Sequence, residues 1–426
     1  MSQSTERHPR TPKEATTDSE NDTGTATGRG PVARIADVDA LRGFALLGIL
    51  LVNMGAMATT YHGGGLVDPA FDGPLHQAWR FMTAVVLETK FYLLFSFLFG
   101  YSFTLQMGSA ERAGARITAR ILRRCAALLA LGIAHALFLY PGDILITYSI
   151  LGLILLTLRG IRPRTAVRTA ITILAVCALG YLTLGWSAWA GHIDGDIGSA
   201  AEEARTRLAE LSGDAGSVLG AFAGEQPAAA LTIFLVQGPP AFAAFLLGLA
   251  AGKRGIIAHA ADHTVLLRRL QWAGFTVGLA GAVFYAWTVT RGSGLEAVGF
   301  GLGVDLLTAP LLTAAYAATV LRVLTSERGT RLGRALAPAG RMALTNYLTQ
   351  SLVVALIYTG YGLALVGEVA PALVTLIGLT LFATQLVFSR WWLSGHAYGP
   401  VEWVLRAATN ARRPRWKSRT GDRATG

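Results

Sequence analysis

The chain has 426 residues, of which 52% are hydrophobic and 15% charged, and its mean hydropathy is +0.45. Apolar stretches long enough to cross a hydrocarbon core of about 30 Å recur along most of its length, without the alternation of barrel strands, which excludes a soluble protein and a β-barrel. The net charge of +11 would suggest a nucleic-acid partner in a soluble protein, but these basic residues belong to loops between apolar segments, so that class is excluded too. An all-α, polytopic transmembrane helix bundle is predicted.

Residues 1–36 are polar and carry few large apolar side chains, so we expect a disordered cytoplasmic tail. The apolar run that follows is too far from the start for a signal peptide and is expected to act as an uncleaved anchor. About ten spans are predicted within a transmembrane domain of residues 37–395, followed by a basic cytoplasmic tail of residues 396–426. These spans are Leu41–Thr60, Trp79–Met107, Ile121–Tyr140, Ile144–Leu158, Ala170–Ala190, Ala228–Ala251, Leu270–Val289, Ala297–Val323, Met342–Leu363 and Ala372–Trp392.

The distribution of basic residues predicts the orientation of the chain. The loops after the second, fourth, sixth and eighth spans each hold four or five Lys or Arg residues, whereas the opposite side holds only Arg80, Arg205, Arg207 and Arg291. Positively charged loops stay in the cytoplasm, so both termini are expected there, in a multi-pass protein of the cell membrane. The outer loop, residues 191–226, contains a short amphipathic helical pattern and is either a lid or a passive insertion.

The first span carries Arg42 at its entry and Asn53 deep inside. Eleven positions separate them, which returns a helix to within about 20° of the same face, about 16 Å further along. An Asn at this depth needs a hydrogen-bonding partner or a wet cavity. It either joins this helix to a neighbour or lines a polar site.

Glu88 and Lys90 lie inside the second predicted span, where charged residues are rare. Two positions apart on a helix, they face away from each other, so each needs a partner elsewhere. The pair either belongs to a structural network or lines a site.

The third span repeats the geometry of the first, because Arg124 and His135 are also eleven positions apart. A tight Pro141-Gly142 turn follows, and it brings Asp143 within reach of the same pocket. A histidine with a nearby carboxylate is the minimal general-base pair, although both groups could also be satisfied at a helix end by water and backbone.

Further polar residues lie in the ninth span, where Asn346, Tyr347 and Gln350 cluster as polar contacts between helices or as lining of the site. Glu402, in the C-terminal tail, is expected to pair with arginines of the loops.

Cys125 and Cys177 fall in apolar segments without metal-binding spacing, so neither a disulfide framework nor a metal site is predicted. The chain also lacks the motifs of ATP-driven transport, zinc proteolysis and serine hydrolysis.

An ordered set of motifs resembles the YeiB-like family of bacterial inner-membrane proteins, over nearly the whole chain after the polar tail. The motifs are DALRGFALLGILLVN, KFYLLFSFLFG, RRCAALLALGIAHALFLYPGDILITY, GRMALTNYLTQS and YGPVEWVLR. That family in turn resembles the transmembrane acyltransferase superfamily, which includes the heparan glucosaminide N-acetyltransferase. In that enzyme an asparagine stands where Asn53 stands, and a lumenal histidine follows. His62 and His76 do not match the spacing of that histidine cleanly, so His135 is the preferred base.

The resemblance implies acyl transfer across the membrane. Asn53, His135 and Asp143 would be catalytic, while Glu88, Lys90, Asn346, Tyr347 and Gln350 would line the site. The acyl-CoA co-substrate would bind the basic residues near the mouths of spans one and three, which are Arg42, Arg116, Arg120, Arg123 and Arg124. The expected partners are therefore the lipid bilayer, acyl-CoA and an outer small-molecule or glycan acceptor, with a homodimer left open. The alternative is a transporter of small molecules or lipids that uses the same residues without chemistry.

Overall fold

The computed structural model describes residues 31–62, 66, 68–193, 197–292 and 294–418. Within those residues the architecture is all-helical, and the one extended pairing is an isolated bridge between His396 and Lys417. The α-helices, in chain order, are α1 Pro31–Ala58, α2 Pro74–Val86, α3 Lys90–Arg112, α4 Ile117–Phe138, α5 Leu145–Thr157, α6 Pro163–Trp189, α7 Ile197–Ser212, α8 Ala215–Thr232, α9 Gly238–Lys253, α10 Thr264–Ala273, α11 Leu279–Arg291, α12 Leu295–Leu324, α13 Glu327–Arg341, α14 Ala343–Tyr358, α15 Pro371–Gly395 and α16 Pro400–Asn410.

Eight helical stretches in the described part of the chain are long and apolar enough to cross a membrane, judged by length and composition. Many large apolar side chains face outward, and Val176, Trp189 and Val387 are each more than 60% exposed. Such exposure fits lipid contact rather than water. Both features indicate a helical bundle of a multi-pass membrane protein, as predicted. The two shorter apolar helices α5 and α14 occupy the positions of the fourth and ninth predicted spans, so the count of ten stays a prediction.

The second predicted span is interrupted. Helix α2 ends at Val86 and α3 begins at Lys90, with Thr89 between them at φ 64° and ψ −33°. A threonine at positive φ is strained by about 1–3 kcal/mol and cannot continue a right-handed helix. Its hydroxyl donates a hydrogen bond of 2.6 Å to Asp305 of α12, which holds the break in place. The sequence around this break contains neither glycine nor proline, so it carries no helix-breaking signal.

Most of the predicted outer loop is helical. The amphipathic pattern corresponds to α7, but the residues after it form α8, which continues through a π-helical turn into α9. Helix α7 buries Ala204 and Leu211, and its Arg207 lies 2.5 Å from Glu225 of α8. The segment therefore packs against protein on its inner side.

Helix α1 lies in the centre of the bundle, where it contacts α3, α13, α14 and α15. Helices α3 and α9 approach each other through two glycines. A Cβ atom on Gly100 would lie 2.0 Å from the carbonyl oxygen of Phe245, and one on Gly248 would lie 2.0 Å from that of Phe97. Small residues at such a crossing let two backbones approach closely, which fixes the position of α3 against α9.

The residues predicted as a basic C-terminal tail include the helix α16, which packs against α4 and α14. The chain then turns back, and Trp416 makes edge contacts with the rings of Trp392, Trp403 and His396. Residues 396–418 thereby close one end of the bundle.

Candidate functional site

A cavity of about 1090 Å³ opens into the bundle beside α1. It is lined along α1 from Asp39 to Ala56, a distance of about 25 Å along the helix. His62, just beyond α1, also lines it. Cavities that hold drug-sized ligands and cofactors have volumes of about 300–1,000 Å³, so this space is large enough for an extended cofactor.

One end of the cavity is strongly cationic. Helices α1, α3, α4, α13 and α16 each contribute arginine to its wall, namely Arg42, Arg112, Arg120, Arg124, Arg341 and Arg406. Arg42 donates one hydrogen bond of 2.6 Å to Asp39 and a second of 2.6 Å to Ser102. No carboxylate among the described residues pairs with the other five. This wall therefore has unused capacity to bind an anion.

Arg124 lies deepest of the guanidinium groups on α4. Its charged carbon lies 6.0 Å from the centre of the Phe99 ring, and its buried Nε has no hydrogen-bond partner among the described residues. A buried donor without a partner costs about 1–3 kcal/mol, and more when it is charged. An anionic ligand in the cavity would remove that cost.

Asn53 lies on the cavity wall about 16 Å from Arg42 along α1, half-buried, as the shared face predicts. Tyrosines surround this depth of the cavity. The Tyr148 hydroxyl lies 2.6 Å from the Ser96 hydroxyl, and Tyr140 and Tyr347 line the wall near Asn53. The inner chamber around Asn53 is therefore rich in hydroxyl groups.

The predicted contact between His135 and Asp143 is present. His135 Nδ1 lies 2.8 Å from Asp143 Oδ1, and the backbone N–H of Ile146 donates to the other carboxylate oxygen at 2.8 Å. Gly132 makes room for this carboxylate, since a Cβ there would lie 2.8 Å from Asp143 Oδ2. The Nε2 atom of His135 is buried without a hydrogen-bond partner in the described part of the structure.

His135 does not itself line the cavity. Its ring centre lies 5.0 Å from that of Tyr347 and 6.3 Å from that of Tyr140, and both tyrosines belong to the cavity wall. The histidine therefore lies one aromatic layer behind the wall. A tyrosine hydroxyl or a small movement of either ring would have to connect it with a ligand.

Glu88 and Lys90 have separate environments, as their spacing predicts. Lys90 is fully buried and forms an ion pair of 3.3 Å with Asp305, whose side chain is also fully buried. Glu88 instead lines the cavity and accepts a hydrogen bond of 2.9 Å from the Tyr285 hydroxyl. Of these two charged residues, Glu88 faces the cavity and Lys90 does not.

Several predicted site residues lie elsewhere. Arg116 and Arg123 are exposed and are not on the wall, because α4 turns them outward. Asn346 donates hydrogen bonds to Ala339 and Ser389, and so joins α14 to α13 and α15. Gln350 donates to Gln385 and lines only a second void of about 10 Å³ next to Asn53.

The expectation that Glu402 pairs with loop arginines is wrong. It caps the N-terminus of α14, accepting the backbone N–H groups of Leu344 and Thr345 at 2.7 and 3.0 Å. A carboxylate at a helix N-terminus is stabilised by the unpaired N–H groups there, so no arginine is needed. The cap also fixes α16 against α14 at the mouth of the cavity.

Sequence reasoning missed three arginines of the cavity wall and the buried partner of Lys90. Arg112, Arg341 and Arg406 come from different helices, and only the folded chain brings them to one wall. Asp305 carried a signal, because a carboxylate inside an apolar span needs a partner, and Lys90 was the one lysine within a predicted span. In the described residues, no cluster of three metal-ligating side chains is present.

Comparisons with known proteins assign relatives to this chain. Residues 251–412 match the family described as "Protein of unknown function (DUF418)". The chain is 32% identical to the uncharacterized protein YxaH of Bacillus subtilis over 401 residues, which cover 88% of this chain and 94% of that protein. It is 27% identical to the uncharacterized protein YeiB of Escherichia coli, over 88% of this chain and 96% of that protein.

Proposed function

The chain belongs to the YeiB-like family of proteins of unknown function, and we propose that this member is an acyltransferase of the cell membrane. It would move an acyl group from a cytoplasmic acyl-CoA to a hydroxyl or amine acceptor outside. The observation that carries this proposal is the cavity whose arginine wall, without a carboxylate ion pair among the described residues except at Arg42, leads inward to the hydroxyl-rich chamber around Asn53.

The arginine wall suits the donor. Acyl-coenzyme A carries several phosphate charges at one end and a thioester at the other, joined by a long flexible arm. Guanidinium groups bind phosphate oxygens as paired donors, and a cavity about 25 Å long lets the arm reach the inner chamber while the phosphates stay at the mouth. Arg112, Arg120, Arg124, Arg341 and Arg406 are the proposed phosphate ligands, together with Arg42.

The reaction would proceed in the inner chamber. The acceptor oxygen or nitrogen attacks the thioester carbonyl and forms the new C–O or C–N bond. The C–S bond then breaks, and coenzyme A leaves as a thiol that carries the proton lost by the acceptor. We propose that His135, oriented by Asp143, transfers this proton and that Asn53 stabilises the developing oxyanion. His62, which lines the cavity, is the second candidate for the base.

The topology is part of the proposal, because donor and acceptor must enter from opposite sides. Ten crossings with both termini in the cytoplasm would put the arginine wall on the cytoplasmic side. A single cysteine introduced at Ser199 should react with a membrane-impermeant reagent on intact cells, whereas one at Ser326 should be protected. Both positions are exposed on the protein surface. The reverse pattern of labelling would invert the orientation and separate the arginine wall from cytoplasmic acyl-CoA.

The donor site can be tested by binding. Replacing Arg341 and Arg406 with Gln should weaken the binding of acetyl-CoA to the purified protein by about tenfold, since these groups are exposed enough for water to screen them. The matched control replaces Arg116 and Arg123, which carry the same charge but lie off the wall. Equal losses in the two variants would mean that the cavity does not hold the donor.

Transfer itself requires a covalent product. Purified protein in membranes, supplied with labelled acetyl-CoA and a mixture of sugars, amines and lipids, should transfer label to an acceptor. The cavity extends along α1 for most of the thickness of a bilayer, which also suits a transporter. Counterflow of an unmodified solute, with no labelled product, would favour that second function.

A further inference from the structure

We infer that Glu88 recognises the acceptor and that this acceptor carries an amine, which binds as an ammonium ion. The inference rests on the proposed function only in calling the ligand an acceptor. What Glu88 forms in the inner cavity is a cation-binding subsite. Three carboxylates line the cavity wall, namely Asp39, Glu88 and Glu402.

Two of these three carboxylates are already used. Asp39 pairs with Arg42, and Glu402 caps α14 and accepts the Thr345 hydroxyl at 2.6 Å. Glu88 accepts one hydrogen bond, from the neutral hydroxyl of Tyr285, and no cation in the described part of the chain pairs with it. It is thus the wall carboxylate with remaining capacity for a ligand.

The charged groups around Glu88 include more carboxylates than cations. Lys90 is the nearest cation along the chain, but its ammonium group is fully buried against Asp305 and the carbonyl oxygen of Ala84. Counted by formal charge, two carboxylates and one ammonium group sum to one negative charge in this cluster, inside a helical bundle. A ligand with a single positive charge would neutralise it, whereas a neutral alcohol would not.

The backbone holds Glu88 toward the cavity. Thr89, directly after it, has φ 64° and is tied to Asp305 through its hydroxyl. Strain of this kind persists only where the surrounding contacts determine it, and it is concentrated at binding sites. The buried ion pair therefore acts as the support, while Glu88 is the group presented to the ligand.

Aromatic rings line the same cavity as Glu88. Tyr92 and Tyr181 are among them, whereas the ring of Tyr285 already has the Lys90 ammonium group 5.3 Å from its centre. Tyrosine rings attract cations through their faces. A site that combines a carboxylate with aromatic rings therefore binds an ammonium group better than a hydroxyl group. The cavity is therefore bipolar, with arginines for an anionic donor at one end and Glu88 for a cationic acceptor at the other.

Two probes of the same shape test this inference on the full-length protein. Cyclohexylamine is an ammonium ion at neutral pH, and cyclohexanol is its uncharged counterpart. By calorimetry, the wild type should bind the amine about tenfold more tightly or better, and Glu88→Gln should reduce that ratio to near one. Binding of acetyl-CoA should stay unchanged in this variant.

Glu368→Gln provides the matched control, because Glu368 is an exposed carboxylate that does not line the cavity. It should keep the preference for the amine. Equal binding of amine and alcohol by the wild type would overturn the inference even if Glu88→Gln failed to fold. An unchanged preference in a folded Glu88→Gln protein would overturn it as well.

The outcome is separable from that of the proposed function. A preference for the amine that depends on Glu88, in a protein that never transfers label from acetyl-CoA, would sustain the cation subsite and refute the acyltransferase. Transfer of label to an alcohol at a rate independent of Glu88 would support the acyltransferase and refute the cation subsite.

Discussion

Two buried ionic pairs in this bundle differ in how far their polar atoms are satisfied. Lys90 contacts both Asp305 and the Ala84 carbonyl oxygen, and the second oxygen of Asp305 accepts the Thr89 hydroxyl. His135 contacts Asp143 through one nitrogen, while its other nitrogen is buried without a partner in the described residues. Both pairs are fully buried, so burial does not distinguish a supporting pair from a reactive one. The distinguishing feature is the unused hydrogen-bonding capacity of His135.

The largest expected effect comes from breaking the satisfied pair. Asp305→Ala leaves the Lys90 ammonium buried and alone, which should destabilise the protein by about 3–5 kcal/mol and abolish most of its yield. The double variant Lys90→Met with Asp305→Leu should recover most of the loss, because it removes both charges. Melting temperatures in detergent measure this. A stable Asp305→Ala protein would mean that the pair does not support the bundle.

Removing His135 from the unsatisfied pair should lower turnover rather than stability. His135→Ala is expected to lower the rate of acyl transfer by roughly 10²- to 10⁴-fold, with little change in CoA binding, because a general base acts mainly in the transition state. His192→Ala is the control, since that histidine is exposed. Normal turnover in a folded His135→Ala protein would remove His135 as the base and direct attention to His62.

Asn53 and Asn346 extend the comparison to two asparagines. Asn53→Ala should lower turnover by about 10²-fold, the loss expected for one donor to an oxyanion. Steady-state rates with saturating acetyl-CoA measure it. A loss of melting temperature without loss of specific activity would reassign Asn53 to helix packing.

The smallest effect is expected for Asn346→Ala. This side chain donates two hydrogen bonds between helices and lies off the cavity wall, so its removal should cost about 0.6–2 kcal/mol of stability and leave specific activity near wild type. Thermal unfolding and activity of the same preparation give both readings. A turnover defect larger than that of Asn53→Ala would reverse the assignment of the two residues.

The sequence predicted the parts of this molecule that depend on periodicity. Helical class, most apolar segments and the contact between His135 and Asp143 follow from spacing, because residues eight positions apart around a Pro-Gly turn have few other arrangements. The shared face of Arg42 and Asn53 follows in the same way.

Contacts between distant segments could not be predicted from spacing. Lys90 and Asp305 are separated by 215 positions, and the arginine wall is assembled from five helices. The break at Thr89 was also hidden, since it depends on the hydroxyl contact with Asp305 rather than on a glycine or proline. Helix packing decides such features, and one sequence contains no direct record of it.

The position of α16 has a consequence for biosynthesis. The membrane helices enter the bilayer in order as the chain leaves the ribosome, but Arg406 and the cap formed by Glu402 lie in α16, which follows the described apolar helices. The mouth of the cavity is therefore completed only after α16 has been made. A product cut after residue 395 would hold all of the described apolar helices and still lack one wall of its cavity, so a stop codon just after α15 should be as damaging as an early one.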